Sequence, residues 1–181
     1  MWVYVLYGSR SESTERIARA IASSVEWSNE YGARPVSAVT PAEIRGPGLV
    51  FLGCPSGGSE LDRQIRRFLD GLPDRTMYNV VWAVFDSRAD PAPVIAGSGI
   101  RRLRRAIEHR GGRLVLTPQS FFSDELHGHS VSSEELERAR TWGSAAIAAA
   151  VRTYRDPAVR AGALSGVPMR PAWELSCGTP S

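Results

Sequence analysis

Three short runs, Trp2–Tyr7, Leu49–Gly53 and Val80–Phe85, are apolar at nearly every position. A strand with one wet face alternates apolar and polar residues. These runs do not, so each suits a strand covered on both faces. That requirement leaves few folds, because helices must then lie on both sides of one sheet. The intervening segments supply the helices. After the first run, Ile17, Ala18, Ile21, Ala22 and Val25 recur at helical spacing. A second helix is expected over about residues 60–69, capped by Ser59 and ended by Gly71. A third is expected over 98–109, closed by Gly111 and Gly112. Ser132 and Glu135 form a capping box that opens the longest, over 133–154, with Leu136, Ala139, Trp142, Ala146 and Ile147 on its apolar side.

Two weaker strands complete the pattern. Pro35–Val39 reads as a second strand, and Thr40-Pro41-Ala42-Glu43 then opens a short helix ended by Gly46. Arg113–Leu116 starts a fifth strand, interrupted or extended toward Phe121 and Phe122. Strand and helix thus alternate five times, which implies a doubly wound parallel sheet with right-handed crossovers. The 181 residues suit one core. Residues 1–155 are expected to form that domain, and 156–181, rich in Pro, Gly, Ala and Ser, an irregular tail in which Trp173 and Leu175 offer docking points.

In an open parallel sheet, ligands bind beyond the carboxyl ends of the strands. Three loops there carry chemistry. Gly8-Ser9-Arg10-Ser11-Glu12-Ser13-Thr14 places four hydroxyl residues between a buried strand and a helix amino end. Free N–H groups and the helix dipole favour an anion there, and hydroxyls add donors without fixed charge. The plainer reading is a polar turn that only caps the helix. The loop lacks the glycines and lysine of the dinucleotide and P-loop motifs. Gly53-Cys54-Pro55-Ser56-Gly57-Gly58-Ser59 permits close backbone approach to a flat ligand, or simply turns. Asp86-Ser87-Arg88 reads as a polar turn after Phe85.

Taken together, these residues resemble the flavodoxin family. Tyr7 to Ala18 is similar to its phosphate loop and first helix, Leu52 to Gly58 to its second flavin loop, and Phe85 to Arg88 to its third. Residues 109–115, Phe121-Phe122 and 134–139 match a related pattern in bacterial members, so the resemblance spans about residues 2–150. It implies a five-stranded sheet of order 2-1-3-4-5 and an FMN site. Ser9, Ser11, Ser13 and Thr14, with Arg10 beside them, would hold the 5′-phosphate. Pro55, Ser56, Gly57, Gly58, Asp86, Ser87 and Arg88 would line the ring, with Gly57 or Gly58 answering the protonation of flavin N5. Three departures stand out: Glu12 occupies the family's first-loop glycine, Gly57 replaces an aromatic, and residues 87–96 contain none.

The resemblance implies electron transfer or a small flavin-dependent reductase working with a redox partner protein. The competing reading is a domain of the same fold without FMN, acting through protein contacts. A homodimer is open in either case. Typical shuttling members are acidic, whereas this chain carries a formal charge of +3. Arginine runs at 63–67 and 101–105 raise nucleic acid as a partner, but the excess is small and no aromatic residues interleave with them. Solvated helix faces account for them more simply. Cys54 and Cys177 form no framework, so a reducing cytoplasm is the expected setting. No run reaches membrane-span length, and the first residues lack the charged start of a signal peptide. His127 and His129 bring no third metal ligand with them.

Overall fold

The computed structural model describes residues 1–8, 11–25, 32–56, 63–73, 75–89, 99–124 and 131–156. Strands β1 (Trp2–Tyr7), β2 (Ala33–Pro35), β3 (Gly48–Pro55), β4 (Val80–Ala89), β5 (Arg113–Leu114) and β6 (Gln119–Ser123) form one sheet. Its order is β2-β1-β3-β4-β5, with β6 also paired to β4, and every pairing is parallel. The helices are α1 (Glu12–Ser23), α2 (Arg63–Asp70), the single-turn α3 (Thr76–Asn79), α4 (Gly99–His109) and α5 (Ser133–Arg155). The expected order 2-1-3-4-5 is therefore present, with two segments sharing the fifth position.

Period-two alternation divides the sheet between two cores. Val5, Tyr7, Leu49, Phe51, Val81, Ala83 and Phe85 face α1 and α5, where Ile17, Ile21, Ala139, Ala146 and Ala150 meet them. Leu6, Val50, Leu52, Val80, Trp82 and Val84 face α2 and α4, against Ile65, Phe68, Leu69, Leu103 and Ile107. Trp142 adds edge-to-face contacts with Phe51, Phe85 and Phe121 at centroid separations of 5.6, 6.3 and 6.0 Å. Each fully buried large side chain contributes about 1.5–3 kcal/mol, so β1, β3 and the first part of β4 anchor the domain from both sides.

Four local expectations shift. The second strand lies at Ala33–Pro35 rather than Pro35–Val39. Pro35 has no N–H for a ladder, and the chain turns immediately through a 3-10 turn, Val36–Ala38, that buries Val36 and Val39. The helix expected up to Gly46 is a single 3-10 turn, Pro41–Glu43. Its capping residue behaves as read, with the Thr40 N–H donating to Glu43 Oε1 at 2.8 Å, but Ile44 leaves in extended conformation and is fully buried. The fifth strand is broken because Pro118 lies between β5 and β6 and cannot donate to a ladder. Finally, Asp86-Ser87-Arg88 is not a turn: β4 continues through it, pairing Asp86 with Ser120, Ser87 with Phe121 and Arg88 with Phe122.

Ser59, the expected cap of α2, and the segment from 157 onward, with Trp173 and Leu175, lie outside the described residues. Helix α5 ends on a firm anchor. The Tyr154 hydroxyl accepts from the Gly48 N–H at 3.1 Å and lies 2.8 Å from Gly48 O and 2.7 Å from Asn79 O. Its one proton serves one carbonyl at a time. Burial pushes the Tyr154 phenol above its ordinary pKa.

Candidate functional site

The carboxyl ends of β1, β3 and β4 meet at one edge. The Gly8 N–H donates to Gly53 O at 2.9 Å, and the Ser56 N–H donates to Ser87 O at 2.7 Å, so the three strand ends are tied to one another. Gly53 has a packing reason as well: a Cβ there would fall 2.1 Å from Cζ of the buried Phe85 ring. Helix α1 begins at this edge. Ser11 is its N-cap in extended conformation, and its hydroxyl accepts from the Thr14 N–H at 3.5 Å, while the Glu15 N–H donates to Ser11 O at 3.1 Å. Ser13 and Thr14 are buried beneath the turn, Ser11 is half-buried and Glu12 is exposed. Burial, with the Glu15 carboxylate nearby, holds the Tyr7 phenol above its ordinary pKa at the end of β1.

The structure brings Ser11, Ser13, Thr14, Pro55, Ser56, Asp86 and Ser87 to this edge. The Thr14 and Ser87 hydroxyls lie 2.6 Å apart in a buried hydrogen bond that joins α1 to β4. Asp86 is fully buried on the opposite face of the sheet, beside Cys54 in register. Its Oδ2 accepts from the Ile100 N–H at 3.3 Å, so it caps the first turn of α4, while Oδ1 is buried with no hydrogen-bond partner among the described residues. Helix α4 can approach this closely because Gly99 starts it. A Cβ there would fall 2.5 Å from Pro55 O and 2.9 Å from Cys54 Sγ.

Arg88 is drawn into a separate cluster. Its Nη2 donates to Ser120 Oγ at 2.8 Å and its guanidinium lies 5.9 Å from the Phe122 ring centroid. Arg138 approaches the same ring at 5.7 Å and donates to Ser120 O and Glu135 Oε2, both at 2.6 Å. Glu135 also accepts from the Phe122 N–H at 2.8 Å. Sequence reading missed this group, because only the pairing of β4 with β6 assembles it. Arg88, close after the buried run that ends at Phe85, and the tandem Phe121 and Phe122 were its available signals. Ser9, Arg10, Gly57 and Gly58 lie outside the described residues, as do His127 and His129. Among the described residues no group of three or more His, Cys, Asp or Glu is placed to hold a metal. No helix among them is long and apolar enough to cross a membrane.

No protein-family model matches the sequence, and no curated protein matches it significantly. Solved structures do match. A flavodoxin from the domain Archaea superposes with a TM-score of 0.66 at 16% identity, over 83% of this chain and 99% of that one. The fold is flavodoxin-like. Oxidised Flavodoxin 2 from Bacillus cereus gives a TM-score of 0.64 at 21% identity, over 84% of this chain and 99% of its own. Rubredoxin oxygen:oxidoreductase from Desulfovibrio gigas matches at a TM-score of 0.63 and 19% identity over 83% of this chain and 36% of that one. At these identities the likeness is one of fold.

The fold family implies FMN, and the donor set at the α1 edge suits its phosphate. Ser11, Ser13 and Thr14 bring hydroxyls to the amino end of a helix, and of the two carboxylates in its first turn Glu12 is exposed and Glu15 pairs with Arg19. Of the residues expected to line the ring, Pro55, Ser56, Asp86, Ser87 and Arg88 are described, whereas Gly57 and Gly58 lie outside the described residues.

Proposed function

We propose that the chain binds FMN at the carboxyl edge of its sheet and works in electron transfer or as a small flavin-dependent reductase. The observation that carries this reading is the Ser11-capped amino end of α1, joined to the ends of β1, β3 and β4 within a flavodoxin-like fold. FMN supplies the redox chemistry when bound. Ser11 and Ser13, with Ser9 and Arg10 just before them in the sequence, hold the phosphate. Pro55, Ser56, Gly57 and Gly58 approach the ring. Asp86 and Ser87 serve from below: Ser87 fixes Thr14 and thereby the first turn of α1, and Asp86 fixes the start of α4. Arg88, engaged with Ser120 and Phe122, shapes the β4–β6 side of the edge rather than touching the ring.

The test is titration of the protein with FMN, followed by quenching of flavin fluorescence. Binding is expected. Ser11→Ala and Ser13→Ala are each expected to weaken it about tenfold, the scale of one lost hydrogen bond to a charged group. Absence of quenching overturns the reading. A second reading has its own support: the Thr14 hydroxyl is already spent on Ser87, and Glu12 stands in the phosphate turn. In that case the domain acts through protein contacts without FMN, and the same titration gives no signal.

A further inference from the structure

Helices α2 and α4 lie on the same face of the sheet. Both bury their apolar residues in one core layer, and Arg110, just past α4, forms an ion pair with Asp70 at the end of α2. Together the two helices carry seven arginines against Asp70 and Glu108. This excess is larger than the chain's whole formal charge of +3. The helices of the opposite face, α1 and α5, are near balance, with six arginines and five glutamates. Arg63, Arg66, Arg67, Arg101, Arg104 and Arg105 are exposed on the basic face. Of these, only Arg104 makes an ion pair among the described residues, with Glu108 at 2.9 Å.

Helix α4 carries the clearer signal. It opens with Arg101 and Arg102 and has no acidic residue in its first turn, whereas α1 opens with Glu12 and Glu15 and α5 with Glu134 and Glu135. A cation at the positive end of a helix dipole destabilises the helix. The exposed Arg101 of that turn therefore adds positive potential that does not stabilise the helix. The same turn adjoins the candidate site, since the Ile100 N–H bonds Asp86, the neighbour of Ser87.

We propose that the outer surface of α2 and α4 docks an acidic redox protein and steers it to the carboxyl edge of the sheet. That the partner is a redox protein rests on the FMN reading above; the charge of the surface does not. Complementary potential selects an acidic partner and speeds its encounter. Exposed positions on the two helices carry no Phe, Tyr or Trp on which bases would stack, which disfavours nucleic acid. They also carry no apolar residue to enter a membrane interface.

Calorimetric titration of the whole chain with a plant-type [2Fe–2S] ferredoxin, an acidic iron–sulfur protein, tests this at low and at physiological ionic strength. The affinity is expected to fall at least about tenfold between the two conditions. At low ionic strength R101E/R105E is expected to lose at least about tenfold, R63E/R67E less, and R101Q/R105Q an intermediate amount. All three should keep the wild-type circular dichroism melt and FMN quenching. Ferredoxin binding that is absent, or that survives every charge change, overturns the docking surface even where FMN binds normally. Salt-sensitive ferredoxin binding without FMN quenching supports the surface and overturns the FMN reading instead. Tighter binding of duplex DNA or phosphatidylserine vesicles than of ferredoxin at equal ionic strength overturns the choice of partner.

Discussion

The two halves of β4 run through the same sheet under opposite chemistry. Val80–Phe85 is apolar throughout and buried on both faces. Asp86 and Ser87 are buried just as deeply, yet both are polar. The first half is held by volume and needs no particular partner. The second is held by particular atoms: Asp86 Oδ2 by the Ile100 N–H, the Ser87 hydroxyl by Thr14, and the Ser87 carbonyl by the Ser56 N–H. Burying a polar group is unfavourable unless it finds such a partner. The contrast marks where the strand stops serving the core alone and starts positioning the first turns of α1 and α4.

Four substitutions would break or sharpen that contrast. Phe85→Ala should have the largest effect, about 3–5 kcal/mol, since it empties a site packed against Gly53, Phe121 and Trp142. Chemical denaturation would show it as a lower midpoint; a loss under 1 kcal/mol would mean that the volume argument for this half is wrong. Asp86→Ala removes the cap of α4 and should lose about 1–2 kcal/mol by the same measurement. A neutral result would show that the carboxylate is not what holds that turn. The smallest effect belongs to the hydroxyl pair. Thr14→Val and Ser87→Ala should each destabilise by about 1 kcal/mol, and the double variant by clearly less than their sum. Strict additivity would indicate that the 2.6 Å contact contributes nothing in solution.

The same contrast separates what was legible in the sequence from what was not. Apolar runs identify β1, β3 and the first half of β4, because burial on both faces leaves its mark residue by residue. The capping signal of α5 was equally readable, since Ser132 acts within its own first turn, whereas for α1 only a polar capping turn was legible and the structure assigns the cap to Ser11. The second half of β4 was read as a turn because its polar residues match one. Its strand conformation depends on β6, a partner far along the chain. The Thr14–Ser87 bond likewise spans 73 positions and leaves no local trace. Ala33–Pro35 was missed for the opposite reason: a three-residue strand is too short to show a period, and Val36 and Val39 advertised burial that a turn supplies. At the candidate site, residue types announced the α1 turn. They did not announce that the Thr14 hydroxyl, Asp86 Oδ2 and Arg88 Nη2 are engaged within the protein.

Helix α5 also bears on how the chain folds as it is made. Its buried stripe of Ala139, Gly143, Ala146 and Ala150 lies in the same layer as Ile17, Ala18 and Ile21 of α1, which are synthesised well before it. Emerging amino end first, β1 and α1 can form and pair while their outer apolar flank still lacks its cover. The cover arrives only with residues 133–155, and Tyr154 fastens it to Gly48 and Asn79 at the opposite edge from the candidate site. A nascent chain halted before that helix would therefore present the Ile17–Ile21 flank to solvent, making it the natural place for a chaperone to hold on.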